Sequence, residues 1–364
     1  MQMMTLLERD VWMARHLERV SRSFAFCIAK LETPLRHQVG LSYLICRILD
    51  SIEDSAWVDR GALEAQYSQR QAFEGFISFL KTQPNDAAIL EWSERLLRDA
   101  VMPEGEQVLV REAHMVFGLY WQERPRVREV MSGPIESMAR GMLEFHGKPE
   151  FRGLKLSSLQ EVNRYCFFVA GVVGEILTGL VRLIGEDRGM KVASSLVEGF
   201  RFGLFLQKVN LLKDRETDLK EGRDLVPSRL AVFRSAFEDA RQAFSYLTSV
   251  PVALEGYRLF CGWSLFLGLA SLPHIAGRKK IGRLETVALL AAVERRVRSN
   301  VELEVLFLKY LRKAETACER LVEPTKMSAV DVSKGEELLK YRRNYVGLAK
   351  DEELCAIIAN GSSR

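Results

Sequence analysis

Apolar residues recur every three or four positions along almost the whole chain, and no sustained alternation of period two appears. That rhythm commits the chain to helices packed on helices. Candidate helices run over 5–30, 34–56, 62–82, 86–101, 105–122, 126–146, 158–186, 188–220, 228–248, 253–276, 283–321 and 333–350. Breaks fall at Pro34, at Gln83-Pro84-Asn85-Asp86, at Pro103-Glu104-Gly105 and at Gly147-Lys148-Pro149. Further breaks fall at Glu221-Gly222-Arg223, at Val250-Pro251 and at Glu323-Pro324. None is long enough for an interdomain linker, and no repeat or low-complexity tract divides the chain. The expectation is a single all-α domain over residues 1–364, with too many apolar helices for a simple four-helix bundle.

Composition narrows the class. With 48% hydrophobic and 27% charged residues, the chain is neither disordered, collagen-like nor a disulfide-stapled miniprotein. The 52 basic residues against 48 acidic ones leave a net charge of +4. That balance argues against a nucleic-acid partner, which calls for a strong local excess of Lys and Arg. Six cysteines, at 27, 46, 166, 261, 318 and 355, form no Cys-x-x-Cys pair, as expected for free thiols in a reducing, cytoplasmic compartment. The first twenty residues carry Glu8, Arg9, Asp10, Arg15, Glu18 and Arg19 and no apolar run, so no secretory signal is expected. Nineteen residues between Arg258 and Arg278 lack formal charge, which approaches a membrane-spanning length. Ser271, Pro273, His274 and Gly277 interrupt the stretch near its end, and a buried helix is the better reading. The five histidines are scattered with no His-x-x-x-His pair, and no Gly-x-Gly-x-x-Gly occurs.

Two stretches carry chemistry. In LSYLICRILDSIEDS, Tyr43, Arg47, Asp50 and Asp54 are spaced 4, 3 and 4, which places them on one helix face, with Glu53 at its edge. The surrounding residues are apolar, so the stripe faces inward or forms a solvated acidic helix end. Buried carboxylates need a partner or a metal, and hard oxygens at this spacing suit Mg²⁺ together with substrate phosphates. In FGLFLQKVNLLKDRETD, Gln207, Asn210, Asp214 and Asp218 are spaced 3, 4 and 4, again on one face. A salt-bridged surface helix has the same pattern. Two such helices facing each other would cage divalent ions, bind a diphosphate and help it leave. Lys208, Lys213, Arg215 and Arg223 lie nearby as donors for phosphate oxygens.

These residues resemble the squalene/phytoene synthase family, in particular its squalene branch. SRSFAFCIAKL (Ser21 to Leu31) resembles the family's Ser-Arg-Ser-Phe segment, and YLICRILDSIEDS (Tyr43 to Ser55) its first aspartate motif. YCFFVAGVVG (Tyr165 to Gly174) is similar to the catalytic tyrosine segment. GLFLQKVNLLKDRETD (Gly203 to Asp218) is similar to the second aspartate motif, and Arg223 follows at the family's offset. The resemblance runs from about residue 15 to about 285 and leaves 286–364 as C-terminal helices.

The resemblance implies an isoprenoid synthase fold around a central apolar cavity, and a head-to-head condensation of two farnesyl diphosphates. Mg²⁺ assists loss of diphosphate, a cyclopropane intermediate (presqualene diphosphate) forms, and NADPH reduces the final cation. Carried over, Asp50, Glu53, Asp54, Asn210, Asp214 and Asp218 would hold Mg²⁺, with the four aspartates central to catalysis. Ser21, Arg22, Ser23, Arg47, Gln207, Lys208, Lys213 and Arg223 would bind substrate. Tyr43 and Tyr165 would sit near the carbocation, Tyr165 handling the proton lost on ring closure. Phe24, Phe26, Phe167, Phe168, Val172, Leu204, Phe205 and Leu206 would line the cavity.

Three departures stand out. Thr217 occupies a position where the family's squalene branch has Glu, and Glu216 points about 100° away on a helix. The run GWSLFLGLASLPHI after Cys261 lacks the Pro-Gln and Asn-Asn pairs of eukaryotic members, leaving Lys279, Lys280 and Arg283 as the candidates for NADPH phosphates. The sequence ends at Arg364 without an apolar tail, so a soluble or membrane-peripheral protein is expected. A synthase stopping at presqualene diphosphate, dehydrosqualene or phytoene without NADPH is the alternative. A non-catalytic helical scaffold of the same fold is the remote one.

Overall fold

A computed structural model describes residues 6–57, 62–146, 154–321 and 335–346, except for the side chains of Leu6, Arg22, residues 62–68, His146 and residues 343–346. The order begins α1 (Leu6–Val20), α2 (Arg22–Ile28), α3 (Leu35–Asp54), β1 (Ala56–Trp57), α4 (Ala62–Lys81), α5 (Asp86–Asp99) and β2 (Ala100–Val101). It continues α6 (Glu104–Arg111), α7 (Ala113–Gln122), α8 (Pro125–His146) and α9 (Leu159–Cys166). A π-turn (Phe167–Gly171) runs directly into α10 (Val172–Asp187). Then come α11 (Leu196–Lys220), α12 (Arg229–Ser249), α13 (Glu255–Ala276), α14 (Arg283–Arg296), α15 (Asn300–Glu319) and α16 (Gly335–Val346). The only strands among the described residues pair antiparallel, Ala56 with Val101 and Trp57 with Ala100.

The expected all-α architecture holds, while three expected helices are divided by polar groups that end one segment and begin the next. Ser21 caps α2, its Oγ accepting from the Phe24 amide. Glu112 separates α6 from α7 and accepts from Trp12 Nε1 at 2.6 Å. Ser299 caps α15 through the Glu302 amide, while the buried Arg258 guanidinium takes the carbonyl of Val297 at 2.8 Å and closes α14. Helix α11 begins at 196 rather than 188, because Ser195 and Glu198 form a reciprocal capping box there.

Helix α11 occupies the middle of the molecule, packed most extensively on α12 and α10. Its approach to the π-turn and α10 depends on glycine. A β-carbon on Gly203 would sit 2.2 Å from the Ala170 carbonyl oxygen, and one on Gly174 would sit 1.9 Å from that of Gly199. Only backbones without side chains can close to that distance. Two helical stretches, 159–187 and 255–276, are long and apolar enough to cross a membrane, yet 61% and 67% of their windows are buried in the packed helices. The buried-helix reading of the stretch after Arg258 agrees with that packing.

Candidate active site

One guanidinium joins the two aspartate stretches. Arg223 Nη1 lies 2.9 Å from Asp54 Oδ1 at the end of α3, and Nη2 lies 3.0 Å from Asp218 Oδ1 at the end of α11. Its Nη2 also meets Glu221 at 2.7 Å. The local chain explains this reach. Gly222 takes φ of 79°, the Arg223 amide donates to the Asp218 carbonyl at 2.8 Å and the Gly222 amide to that of Leu219 at 3.2 Å. This pair of bonds is the Schellman ending of a helix, and it folds residue 223 back over the last turn of α11.

On α3 the expected stripe is real. Tyr43, Arg47 and Asp50 are half-buried and Asp54 is exposed, while their neighbours Leu44, Ile45, Ile48 and Leu49 are buried. The Tyr43 hydroxyl meets the Ser21 side chain, and its ring lies 5.4 Å from that of Phe24. Arg47 pairs with Asp50 at 3.5 Å and, from its other amine, with Glu106 on α6. Glu106 is a buried carboxylate that sequence reasoning missed, since it stands alone on a different helix with no spacing signal.

Tyr165 is the next-to-last residue of α9, just before the π-turn, and is buried, its ring edge-on to Phe145 at 5.4 Å. The charges acting on its hydroxyl are those of Glu53, Asp54 and Arg223, so the structure brings it to the place where the two stretches meet. Burial first, and those carboxylates second, hold its pKa well above the ordinary value. Burial likewise pushes Asp50 up to about 8, with Asp54 and Glu53 adding to it and Arg47 opposing. Asp54 is pushed up to about 6, by burial and then by Glu53, against the pull of Arg223. Asp218 is raised by burial and then by Asp214, again against Arg223.

On α11, Gln207 is half-buried and Asn210 and Asp214 are exposed along one stripe. Lys213 Nζ meets Asp214 at 3.1 Å and Asn210 at 3.5 Å. Lys208 does not join them. Its ammonium is buried on another flank of α11 and paired with Asp239, with Ser235 Oγ at 2.7 Å. The expected substrate contact from Lys208 is therefore corrected: one residue past Gln207 is a turn of about 100°, enough to send it into the core. Ser23 is exposed near the start of α2, and the Arg22 side chain lies outside the described residues. Thr217 is exposed, and Glu216 turns away toward Arg278 at 4.0 Å, so it does not replace a carboxylate on the acidic stripe.

Most expected cavity walls are ordinary core. Phe167, Phe168, Val172, Leu204 and Phe205 are fully buried, and Phe26 is exposed with its ring stacked on Trp263 at 4.8 Å. Partly accessible apolar side chains on these helices include Phe24, Tyr43, Val169, Val173, Leu206 and Leu267.

The donor set suits a hard divalent cation. Asp50, Asp54, Asp214 and Asp218, with the amide oxygen of Asn210, present oxygen donors on the two stretches that Arg223 ties together. No group of three or more ligating side chains is already closed into a cage among the described residues. Mg²⁺ takes one or two carboxylates and fills the rest of its shell with water and substrate phosphate. Lys279 and Lys280 are exposed on the loop after α13, and Arg283 is exposed at the start of α14. Arg278 on that loop reaches Glu216, so the loop lies beside the end of α11. Surface cations supply charge but not shape, and these three alone do not fit a dinucleotide.

Helices carrying two facing acidic stretches, with a tyrosine at their junction, form an isoprenoid synthase fold. The model of the family described as "Squalene/phytoene synthase" matches residues 17–235, and the chain belongs to that family. It is similar to the squalene synthase of Eremothecium gossypii, 30% identical over 221 residues that cover 59% of this chain and 45% of that protein. The rat squalene synthase is 28% identical over 223 residues, 59% of this chain and 46% of that one. The matched region thus spans less than half the length of these curated relatives. Among solved structures, the complex of TcSQS with the ligand E5700 has a TM-score of 0.64 at 20% identity, covering 86% of this chain and 98% of that one. A dehydrosqualene synthase complex has a TM-score of 0.54 at 16% identity, covering 80% and 98%.

Proposed function

We propose that this chain is a squalene synthase: it condenses two farnesyl diphosphates head to head to presqualene diphosphate and, given NADPH, reduces that product to squalene. The observation that carries the reading is Arg223 bridging Asp54 and Asp218 beside Tyr165. The family match over residues 17–235 takes in all of these residues, and relatives named squalene synthase are similar to 59% of the chain.

Asp50, Asp54, Asn210, Asp214 and Asp218 would hold Mg²⁺, with Glu53 close behind. Bound Mg²⁺ supplies positive charge where the departing diphosphate gains negative charge. Arg47, Lys213 and Arg223 donate to phosphate oxygens, and Ser21 and Ser23 stand at the α2 end of the same stripe. Loss of diphosphate leaves a C1 cation, the double bond of the second substrate captures it, and closing the cyclopropane releases one proton. The Tyr165 hydroxyl stays protonated, so it accepts that proton only while passing its own to a diphosphate oxygen. Its ring face, with that of Tyr43, steadies the cation. Phe24, Val169, Val173 and Leu206 keep water from the cation.

The five described cysteines are buried free thiols, which supports a reducing, cytoplasmic setting. An apolar triterpene product also gives reason for peripheral contact with a membrane. The source of hydride is read from the product, not from Lys279, Lys280 and Arg283. The test gives purified protein farnesyl diphosphate and Mg²⁺, with and without NADPH, and identifies the lipids by mass. Squalene formed only with NADPH is the expected result. Presqualene diphosphate or dehydrosqualene regardless of NADPH would keep the condensation and remove the reduction. No turnover of any prenyl diphosphate would overturn the reading.

A further inference from the structure

The segment that carries Tyr165 is held from behind by a helix far outside the family-matched region. Helix α16 lies across α9, the π-turn and α10, and touches each. Glu337 accepts from Gln160 Nε2 of α9 at 2.8 Å and from the Tyr341 hydroxyl at 2.8 Å. The Tyr341 ring lies 5.7 Å from that of Phe167 and 6.4 Å from that of Phe168, both in the π-turn. Arg342, buried, makes a two-pronged pair with Glu175 of α10 at 2.6 and 2.9 Å. The contacts therefore begin five residues before Tyr165 and end ten residues after it.

A π-turn adds one residue to a helical turn and hydrogen-bonds less well than α-helix. Its collapse to regular α-helix would rotate everything on one side of it by about 100°. Tyr165 sits immediately on that side, so the register of the turn decides whether its hydroxyl faces Asp54 and Arg223. The far end of the turn, at Ala170 and Gly171, is fixed by its close approach to Gly203 of α11, and α10 beyond it by the approach of Gly174 to Gly199. We propose that α16 is a splint that holds the π-turn in register and so aims Tyr165, with Arg342, Glu175 and Tyr341 as positioning residues. Their importance for turnover rests on the function proposed above, whereas the splint itself does not.

The test compares the full chain with Arg342→Met, which keeps the packing stem and removes the guanidinium. The splint predicts that kcat falls about 10- to 100-fold while KM for farnesyl diphosphate stays within about twofold. In a Tyr165→Phe background the same change should cost nothing further, because Arg342 acts through that hydroxyl. Equal losses in both backgrounds, or an unchanged kcat, would overturn it. Amide hydrogen exchange reads the splint without any activity. Residues 165–171 should exchange roughly tenfold faster in Arg342→Met while α12 is unchanged. Unchanged exchange would sink the splint, even in a protein that turns out to use another substrate. Tyr341→Phe loses the hydroxyl and its bonds to Glu337 and Gln160 while keeping the ring, and serves if Arg342→Met does not fold. It should give the same pattern at smaller amplitude, and a wild-type pattern in Tyr341→Phe would count against the proposal.

Discussion

Helix α11 has two charged flanks that obey opposite rules. On the flank toward α12, Arg201 and Lys208 share the Asp239 carboxylate, and Ser235 takes a further proton from Lys208. All four side chains are buried and no oxygen of Asp239 is left over. On the flank toward α3, Asp50, Glu53, Asp54, Glu106, Asp214, Asp218 and Glu221 gather around Arg47, Lys213 and Arg223 among the described residues. On that side the described carboxylates outnumber the described cations, and Asp50, Asp54 and Asp214 reach solvent while Glu53, Glu106 and Asp218 are buried. A closed, satisfied cluster holds helices together. An open cluster with surplus negative charge is unfavourable by itself, and under the proposed function a divalent cation arriving with the diphosphate would supply the missing positive charge.

The difference breaks cleanly under mutation. Asp50→Asn or Asp214→Asn should lower turnover at least about a thousandfold, as expected when charge at the leaving group loses its partner, with the melting temperature held or raised. Full activity in either variant would end the cation-site reading. Asp239→Ala should do the reverse. It strands two buried cations and should cost about 3–5 kcal/mol of stability, seen in a denaturant titration, while any folded fraction keeps its KM. If Asp239→Ala folds normally and loses activity, the two flanks have been assigned the wrong way round.

Tyr165→Phe comes next in size. Its ring stays against Phe145, so the fold should hold, and turnover should fall about a hundredfold with KM little changed. A folded variant with wild-type turnover would make Tyr165 a structural aromatic.

Both clusters were partly legible in the sequence, for different reasons. The acidic stripes announce themselves because residues three and four apart share a helix face, and Tyr43 through Asp54 fall where that rule puts them. Lys208 could have been placed by the same rule, since it is one position from Gln207. Proximity in sequence to the acidic stripe does not overcome that angle. Asp239 and Glu106 were out of reach, because each is a single carboxylate whose role comes from a helix packed against it across the chain. The division of 283–321 was signalled by Ser299 and Glu302, a capping pair inside an apolar rhythm. The π-turn leaves no mark, since its apolar residues fit an ordinary α-helix equally well. The C-terminal splint depends on contacts between residue 342 and residue 175 that no local pattern encodes.

The open flank should also make stability depend on pH in a way the closed flank does not. Asp50 and Asp54 are raised to about 8 and about 6, above the value near 4 of an unfolded chain. The folded protein therefore keeps protons that the unfolded chain has released. The stability linked to those protons is fully present below about pH 4 and is lost as pH rises through 6 and then 8. Half-exposed carboxylates are screened by water, so the loss is modest. Melting temperatures without divalent cations should decline from pH 5 to 8.5, and Mg²⁺ with inorganic diphosphate should flatten the decline. Asp50→Asn should flatten it without either. An unchanged slope in that variant would mean the decline comes from elsewhere.

The smallest effect separates backbone strain from the position of Arg223. Gly222 and Gly189 both hold positive φ, at 79° and 65°, and both lie just past the end of a helix. A side chain in that region of backbone space costs about 1–2 kcal/mol, so Gly222→Ala and Gly189→Ala should each lower the melting temperature by a few degrees. Gly189 has nothing within 4 Å of an added β-carbon and leads only into the loop before α11. Its substitution should leave kinetics alone. Gly222 sets the turn that folds Arg223 over Asp218 and across to Asp54. Gly222→Ala should therefore raise KM for the diphosphate substrate, about threefold to tenfold, which is the loss of part of one charge-assisted hydrogen bond. Matching KM values in the two variants would mean that Arg223 finds its partners without the turn, and that the carboxylates rather than the backbone place it.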